Sequence, residues 1–148
     1  ILAGAAFLSI AMGFTGVPRV LASYVDAWNL SPGMLLVLLT VLYIFLGCFL
    51  DGVSMMVLTA AVVLPMVESA GIDLIWFGIF TVIVVEMAKI TPPVGFNLFV
   101  LQGMTGRDLI QVTKASVPFF FLMLLGILII ALFPELVTWP VEYMVRKN

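Results

Sequence analysis

The chain has 148 residues, of which 64% are hydrophobic and only 9% are charged, with a mean hydropathy of +1.32 and a net charge of −2. Soluble domains are usually about 45–50% apolar and about 25% charged, so this composition predicts an integral membrane protein. The slightly acidic balance argues against binding to nucleic acid, and the absence of histidine excludes a His-Glu-x-x-His zinc site. The sequence contains no phosphate-cradling glycine-rich loop, and we expect no enzymatic activity.

The first apolar segment begins at the first residue, without an initiator methionine or a basic region before it. A signal peptide does not start in this way, so we expect the sequence to be the C-terminal part of a longer membrane protein. Residues 1–17 are predicted to be the end of one membrane span, closed by Gly16 and Pro18. Residues 18–32 place aromatic and aliphatic side chains at helical spacing, which predicts a short amphipathic helix near the membrane interface.

Residues 33–67 form one long apolar stretch. A bilayer core about 30 Å thick requires about 20 helical residues, so this stretch is too long for one span and has no polar loop to divide two. The simplest interpretation is a span whose helix is broken around Gly47–Gly52. Near its end, Pro65 removes the helical partner of the carbonyl of Ala61, four residues earlier.

Two adjacent prolines interrupt the next segment. Residues 74–89 predict a helix about 24 Å long, whereas residues 94–104 would form one of only about 16 Å, too short to cross the core. Residues 74–104 are therefore predicted to form a re-entrant hairpin with its tip at Thr-Pro-Pro-Val-Gly; the alternative is one crooked span broken at that point. The hairpin would bring the polar segments 68–73 and 105–115 to the same side of the membrane.

The end of the chain contains a further apolar segment. Residues 116–134 are predicted to span the membrane, and Trp139 and Tyr143 follow in an interfacial segment. Basic residues are balanced between the two sides, so the orientation is not predicted. Together the segments predict an all-α integral membrane fold that combines broken helices with a re-entrant hairpin.

The proline pair indicates chemistry at the break. Pro92 and Pro93 have no N–H, so the carbonyls of Ala88 and Lys89 are predicted to lose their helical partners. The segment that starts near Val94 would expose the unpaired N–H groups of its first turn. Such groups are tolerated inside a membrane only in a protein interior or a wet cavity. Carbonyl oxygens suit a hard cation such as sodium, and a helix N-terminus suits a carboxylate.

Three neighbours of the prolines strengthen this prediction. Gly95 would allow close approach of the backbone, while Thr91 and Asn97 supply side-chain oxygens. The competing interpretation is a plain proline kink that neighbouring side chains repair.

Charged residues occur near both breaks. Asp51 stands at the first break, with Ser54 and Thr59 in the following helix. Because a charge inside the bilayer is unfavourable, Asp51 is a candidate functional residue that would line an ion site. It would equally serve as the N-cap of the following helix. Glu86 and Lys89 are three residues apart and are predicted to neutralise each other. The single cysteine, Cys48, is interpreted as a packing residue.

Residues around both breaks match a known pattern: Gly47, Asp51, Pro65, Gly71-Ile72-Asp73, Phe77-Gly78, Glu86 and the run Ile90–Asn97, Ile-Thr-Pro-Pro-Val-Gly-Phe-Asn. In these residues the sequence resembles the C-terminal part of the large membrane subunit of tripartite ATP-independent periplasmic (TRAP) transporters. The resemblance covers essentially the whole chain, and the Ile90–Asn97 run is its most specific part.

The resemblance implies a sodium-driven secondary transporter of the elevator type, of which this chain would be one inverted repeat and 74–104 the second hairpin. The implied sodium ligands are Gly47, Asp51, Ser54, Thr91 and Gly95. The implied substrate-binding residues are Thr91, Pro92, Pro93, Val94, Gly95 and Asn97. The transporter would import small organic acids across the bacterial inner membrane, with a periplasmic substrate-binding protein and a small membrane subunit as partners.

Three other functions remain open at this stage. An anion permease of similar architecture would work without a binding protein. A passive channel would conduct through a carbonyl-lined constriction without coupling to sodium. A structural membrane subunit would not depend on Asp51 or on the proline pair.

Overall fold

The computed structural model describes residues 2–16, 20, 23, 31–92 and 95–146. Within these ranges the chain forms α-helices joined by short turns and contains no strand, which confirms the all-α prediction. The helices are α1 (Leu2–Thr15), α2 (Pro32–Gly47), α3 (Gly52–Ser69), α4 (Leu74–Lys89), α5 (Phe96–Thr105), α6 (Leu109–Leu132) and α7 (Glu135–Arg146). By length and composition, α3 and α6 are able to cross a membrane, and α2 is a shorter apolar helix.

Side-chain caps determine where four of these helices begin. An N-cap oxygen accepts a hydrogen bond from a backbone N–H of the first turn that has no partner within the helix. The capping residues are Ser31, Asp51, Asp73 and Asp108, which accept from the N–H of Met34 (3.3 Å), Ser54 (3.1 Å), Trp76 (2.8 Å) and Ile110 (3.3 Å) respectively. Because such caps depend on local sequence, α4 has the bounds predicted for it, 74–89.

The start of the chain is helical where the structure describes it. α1 ends before Gly16, whose φ of +70° is left-handed, while Pro18 lies outside the described residues. The amphipathic helix predicted for 18–32 also lies mostly outside them. The predicted end of this helix is wrong at residues 31 and 32, because Ser31 caps α2 and Pro32 is the first residue of α2.

Two later boundaries also differ from the prediction. α3 continues to Ser69, so only the second part of the predicted polar turn 68–73 is non-helical. The polar segment predicted for 105–115 is shorter still: α6 starts at Leu109 because Asp108 caps it. The span predicted for 116–134 is therefore the later part of a longer helix.

The chain reverses direction between α2 and α3. The hydroxyl of Tyr43, one turn before the end of α2, lies 3.0 Å from Oγ1 of Thr59, two turns into α3. On one continuous helix these residues would be about 24 Å apart. The break predicted around Gly47–Gly52 is confirmed, but it is the tip of a helical hairpin rather than an interruption in a single span.

α4 lies at the centre of the fold and packs against both arms of this hairpin. Gly47 at the end of α2 meets Ala88 near the end of α4, so these two helices are parallel. Gly52 at the start of α3 meets Val85 and Lys89, so α3 is antiparallel to α4. The shared core contains Leu35, Leu39, Tyr43, Met55, Val63, Val67, Trp76, Phe77, Phe80, Val84 and Val85.

α4 and α5 run in the same direction along α6. Nε1 of Trp76, in the first turn of α4, donates to the carbonyl of Ile130 near the end of α6 at 2.9 Å. At the other end of α4, Thr91 lines a cleft with Val117, which lies nearer the start of α6. α5 is joined to the start of α6 by residues 106–108 and is likewise antiparallel to it.

The hairpin predicted for 74–104 is therefore wrong, and the crooked alternative describes this segment. Its two ends lie at opposite ends of α6, a helix of 24 residues and about 36 Å. The polar turn 68–73 and the loop 106–108 consequently do not emerge together. The sequence predicts a broken span at Gly47–Gly52 and a hairpin at the prolines, and the structure shows the reverse. The first break is the hairpin tip, and the chain continues in one direction across the proline break.

Replacing Trp76 with phenylalanine tests the contact between α4 and α6. The carbonyl of Ile130 has no helical partner because Pro134, four residues on, has no N–H, and Nε1 of Trp76 occupies it. We expect Trp76→Phe to lower the free energy of unfolding by about 1–2 kcal/mol. Thermal unfolding in detergent measures this. Trp139→Phe, at a residue 66% exposed, is the control, and an equal loss for both variants would contradict the assignment.

Candidate functional site

The hairpin tip, residues 48–51, is seated against the end of α4. Gly47 is buried, and a Cβ at this position would overlap the Cβ of Ala88, so only glycine allows α2 and α4 to approach this closely. Sγ of Cys48 lies 3.3 Å from the carbonyl oxygen of Ile44 in its own helix. It also lies 3.7 Å from the carbonyl oxygen of Pro92 and 4.0 Å from that of Thr91. The two breaks identified in the sequence thus meet in the structure.

Lys89 connects the same two regions through its side chain. A Cβ built on Gly52 would lie 2.7 Å from Cε and 3.0 Å from Nζ of Lys89, so the lysine stem covers the first residue of α3. Nζ is 2.5 Å from Oε1 of Glu86, which confirms the predicted ion pair. The Lys89 side chain is 22% exposed and that of Glu86 is 48% exposed. The positive charge is therefore the more sheltered of the two.

The last turn of α4, directly before the prolines, is closed by hydrogen bonds between residues three apart. The N–H of Thr91 donates to the carbonyl of Ala88 at 3.1 Å, and the N–H of Ile90 donates to that of Met87 at 3.3 Å. Oγ1 of Thr91 donates to the same Met87 carbonyl at 2.7 Å. The prediction that Ala88 has an unpaired carbonyl is wrong, because a final turn with three-residue spacing supplies a partner.

Carbonyl oxygens instead converge at Gly95. This residue has φ +42°, in the left-handed region that favours glycine. A Cβ at Gly95 would lie 2.9 Å from Cδ1 of Leu98, 2.9 Å from the carbonyl oxygen of Thr91 and 3.0 Å from that of Lys89. Two peptide oxygens from the end of α4 therefore face one small space beside the start of α5. We call the carbonyl oxygens of Lys89 and Thr91 beside Gly95, together with that of Pro92 beside Cys48, the carbonyl cradle.

The donor set of the cradle suits an alkali cation. Its atoms are neutral peptide oxygens, and oxygen ligands bind hard cations in preference to soft metals. Among the residues that the structure describes, no group of three His, Cys, Asp or Glu side chains could hold a metal ion. A side chain at position 95 would press against these oxygens.

Asp51 caps α3, which is one of the two interpretations that its sequence position allows. Oδ2 accepts the N–H of Ser54 at 3.1 Å, and the Asp51 side chain is exposed at the hairpin tip. Ser54 is buried in the first turn of α3. The cap is compatible with a second function as an ion ligand, and substitution distinguishes the two.

Two substitutions at Asp51 separate capping from charge. Asparagine retains an oxygen for the N–H of Ser54, whereas alanine removes it, so only Asp51→Ala should destabilise the protein, by about 1 kcal/mol. If the carboxylate also contributes to the ion site, both variants will require more sodium for half-maximal uptake. The thermal unfolding midpoint and the sodium dependence of uptake measure the two effects. A normal sodium requirement in both variants would leave Asp51 as a cap alone.

Asn97 lies in the first turn of α5 and faces a different space. It lines a cleft of about 470 Å³ between α4, α5 and α6, together with Glu86, Ile83 and Met123. Pro93 and Val94, the other predicted substrate-binding residues, lie outside the described residues. The structure thus brings Thr91 and Gly95 together and seats Gly47 against Ala88, three residues before Thr91, whereas Asn97 lines the cleft beside Glu86.

Two residues at this site were interpreted too narrowly from the sequence. The sequence predicts only a packing function for Cys48, but its thiol faces the carbonyls of Thr91 and Pro92. The sequence predicts that Lys89 and Glu86 neutralise each other, but the Lys89 stem also covers Gly52, directly after the hairpin tip. The position of Cys48 inside the first break was the available signal; nothing local in the sequence indicated the contact made by Lys89.

Comparison with known proteins identifies the family. The family model described as "Tripartite ATP-independent periplasmic transporter, DctM component" matches residues 1–136. The C4-dicarboxylate TRAP transporter large permease protein DctM of Pseudomonas aeruginosa is 33% identical over 118 residues, which are 80% of this chain and 28% of that protein. The protein of the same name from Vibrio cholerae is 31% identical over 139 residues, 94% of this chain and 31% of that protein.

A relative named for a different substrate shows a similar level of identity. The sialic acid TRAP transporter permease protein SiaT of Haemophilus influenzae is 32% identical over 109 residues, 74% of this chain and 18% of that protein. The chain thus spans less than a third of the length of these three relatives. All three are named as transporter permeases. The resemblance found in the sequence is confirmed: the chain belongs to the DctM family of tripartite ATP-independent periplasmic transporters.

Proposed function

We propose that this chain is part of the large permease subunit of a sodium-coupled importer of small organic acids. The observation that carries the proposal is the meeting of the two breaks, where the hairpin tip at Cys48 abuts the carbonyl cradle. Oxygens of the peptide backbone at this point offer a cation a site without a fixed negative charge. Co-transport of sodium then neutralises part of the charge of an organic anion as both enter the membrane.

The start of α5 supports the anionic part of the proposal. A helix N-terminus carries a partial positive charge and unpaired N–H groups, which favour a carboxylate. Phe96 begins α5 directly after Gly95, so this N-terminus lies beside the carbonyl cradle. The amide of Asn97 in the same turn adds a polar group toward the cleft shared with Glu86. Under this proposal Thr91, Pro92, Gly95 and Asn97 bound the substrate cavity on this side.

The architecture takes a revised form in this proposal. The α2–α3 hairpin is the re-entrant element, and the α4–α5 segment, with its break beside the tip, crosses the bilayer. Peptide groups exposed at the two breaks are tolerated because they line a cavity inside the protein. The chain then forms one repeat of an elevator-type transporter in the bacterial inner membrane, and the second half of the cavity comes from elsewhere in the full-length protein.

The names of the relatives guide the choice of substrates and partners. They include permeases for C4-dicarboxylates and sialic acid, and an isethionate TRAP transporter permease protein DctMQ from Oleidesulfovibrio alaskensis. These three are organic anions, which supports an organic acid as the substrate here. The tripartite description of the family supports a small membrane subunit and a periplasmic substrate-binding protein as partners.

Uptake into proteoliposomes tests the proposal. The full-length permease and its small subunit are reconstituted, and labelled organic acids are supplied with the binding protein under a sodium or a potassium gradient. We expect saturable uptake that requires both sodium and the binding protein. Uptake without sodium would contradict the coupling, and full uptake without the binding protein would favour an independent permease. Conductance that does not saturate would favour a channel.

A further inference from the structure

We propose that the Glu86–Lys89 ion pair sets the sodium affinity of the carbonyl cradle, with Lys89 opposing the cation and Glu86 offsetting that effect. The inference rests on the proposed function, because it concerns the same ion site. It assigns to this pair a function beyond the stabilisation of its own helix.

The backbone and the side chain of Lys89 have opposite electrostatic effects. Its carbonyl oxygen is one of the cradle oxygens, 3.0 Å from the position that a Cβ on Gly95 would occupy. Its ammonium group lies over Gly52, the first residue of α3, directly after the hairpin tip. A unit positive charge is therefore held within one lysine side chain of a site for a second cation. Because that side chain is only 22% exposed, solvent screens its charge incompletely.

Glu86 is placed to compensate this charge. Oε1 contacts Nζ of Lys89 at 2.5 Å, one turn earlier on the same face of α4. Among the described residues, Glu86 is the carboxylate at salt-bridge distance from Nζ. Asp51 stands next to Gly52 at the hairpin tip and accepts the N–H of Ser54, Asp73 caps the opposite end of α4, and Lys114 lies on α6. Glu86 is 48% exposed, so its own field is screened more than that of Lys89.

These positions predict unequal effects of removing each partner. Glu86→Gln leaves the sheltered ammonium without its paired carboxylate, and we expect this to weaken sodium binding about tenfold. Lys89→Met keeps an apolar stem over Gly52, removes the positive charge and should strengthen sodium binding about threefold. The double variant carries neither charge and should bind within about twofold of the native affinity.

Sodium-dependent thermal stabilisation provides a readout other than transport. The purified full-length complex in detergent is titrated with sodium chloride against choline chloride at constant ionic strength, and the midpoint of the rise in Tm gives the apparent affinity. Glu68→Gln and Arg107→Met make the same charge changes at exposed positions in the last turn of α3 and in the α5–α6 loop, and should leave that midpoint unchanged.

The outcomes separate this inference from the proposed function. Stabilisation of the native protein by sodium, with the same midpoint in all variants, would overturn the inference and leave the proposed function intact. A double variant that fails to restore the native midpoint would also overturn it, since the effect would not then be one of charge. Absence of any sodium effect on the native protein would overturn both. If Glu86→Gln does not fold, Lys89→Met decides alone, because misfolding does not increase affinity.

Discussion

Replacing Gly95 with alanine is expected to reduce sodium-dependent uptake by about a hundredfold, which corresponds to about 2.7 kcal/mol. Two effects combine at this position. Alanine at φ +42° is strained by about 1–2 kcal/mol. Its methyl group would also lie 2.9 Å from Cδ1 of Leu98, 2.9 Å from the carbonyl oxygen of Thr91 and 3.0 Å from that of Lys89, so these groups must shift. Uptake into proteoliposomes and the sodium dependence of Tm measure the effect.

Gly103 offers a matched control for this substitution. It lies within α5, and a Cβ there would meet nothing within 4 Å. Gly103→Ala should therefore leave uptake unchanged and stabilise the helix slightly, because alanine has the higher helix propensity. Equal activity of the Gly95 and Gly103 variants would show that the carbonyl cradle has no part in transport.

The second large effect is expected at Gly47, where α2 and α4 are in closest contact. A Cβ on Gly47 would overlap that of Ala88, so Gly47→Ala must displace the hairpin from α4. Overpacking of this kind usually lowers the free energy of unfolding by about 1–3 kcal/mol. Because the displaced tip would also withdraw Cys48 from the carbonyls of Thr91 and Pro92, we expect uptake to fall at least tenfold. Thermal unfolding and uptake assays measure the two losses.

A compensating substitution tests whether steric overlap is the cause. Ala88→Gly removes the methyl group that obstructs the new one, so the double variant should recover part of both stability and uptake. Gly33→Ala, at the start of α2 where nothing lies within 4 Å, should be neutral and serves as the control. A loss that the second substitution leaves unchanged would mean that Gly47 acts in some way other than permitting the contact between helices.

The breaks and the caps were predictable because their causes are local. Pro92 cannot donate to a helical carbonyl, and Asp51 and Asp73 supply cap oxygens to the residues that follow them. The run Ile90–Asn97 was specific enough to indicate the family, which the match over residues 1–136 confirms. Composition alone indicated a membrane protein.

The direction of the chain after each break was not predictable from such signals. Removal of a backbone hydrogen bond ends a helix but leaves its continuation free to reverse or to proceed. At the first break, the contact between Tyr43 and Thr59 and the fit of Gly47 on Ala88 select reversal. At the second, the bond from Trp76 to Ile130 aligns α4 along α6, and the short loop 106–108 brings α5 back beside the same helix.

The sequence by itself therefore determined the membrane class, the family, the bounds of α4 and the positions of both breaks, since each depends on the chemistry of neighbouring residues. The tertiary structure alone decided which break is a hairpin tip and how the two meet. It also placed the charge of Lys89 over Gly52 and the oxygens of Lys89 and Thr91 around Gly95. Some of these contacts join residues that are distant along the chain, and others depend on the conformation of a loop. Local geometry allows several arrangements at each of them, and only packing selects one.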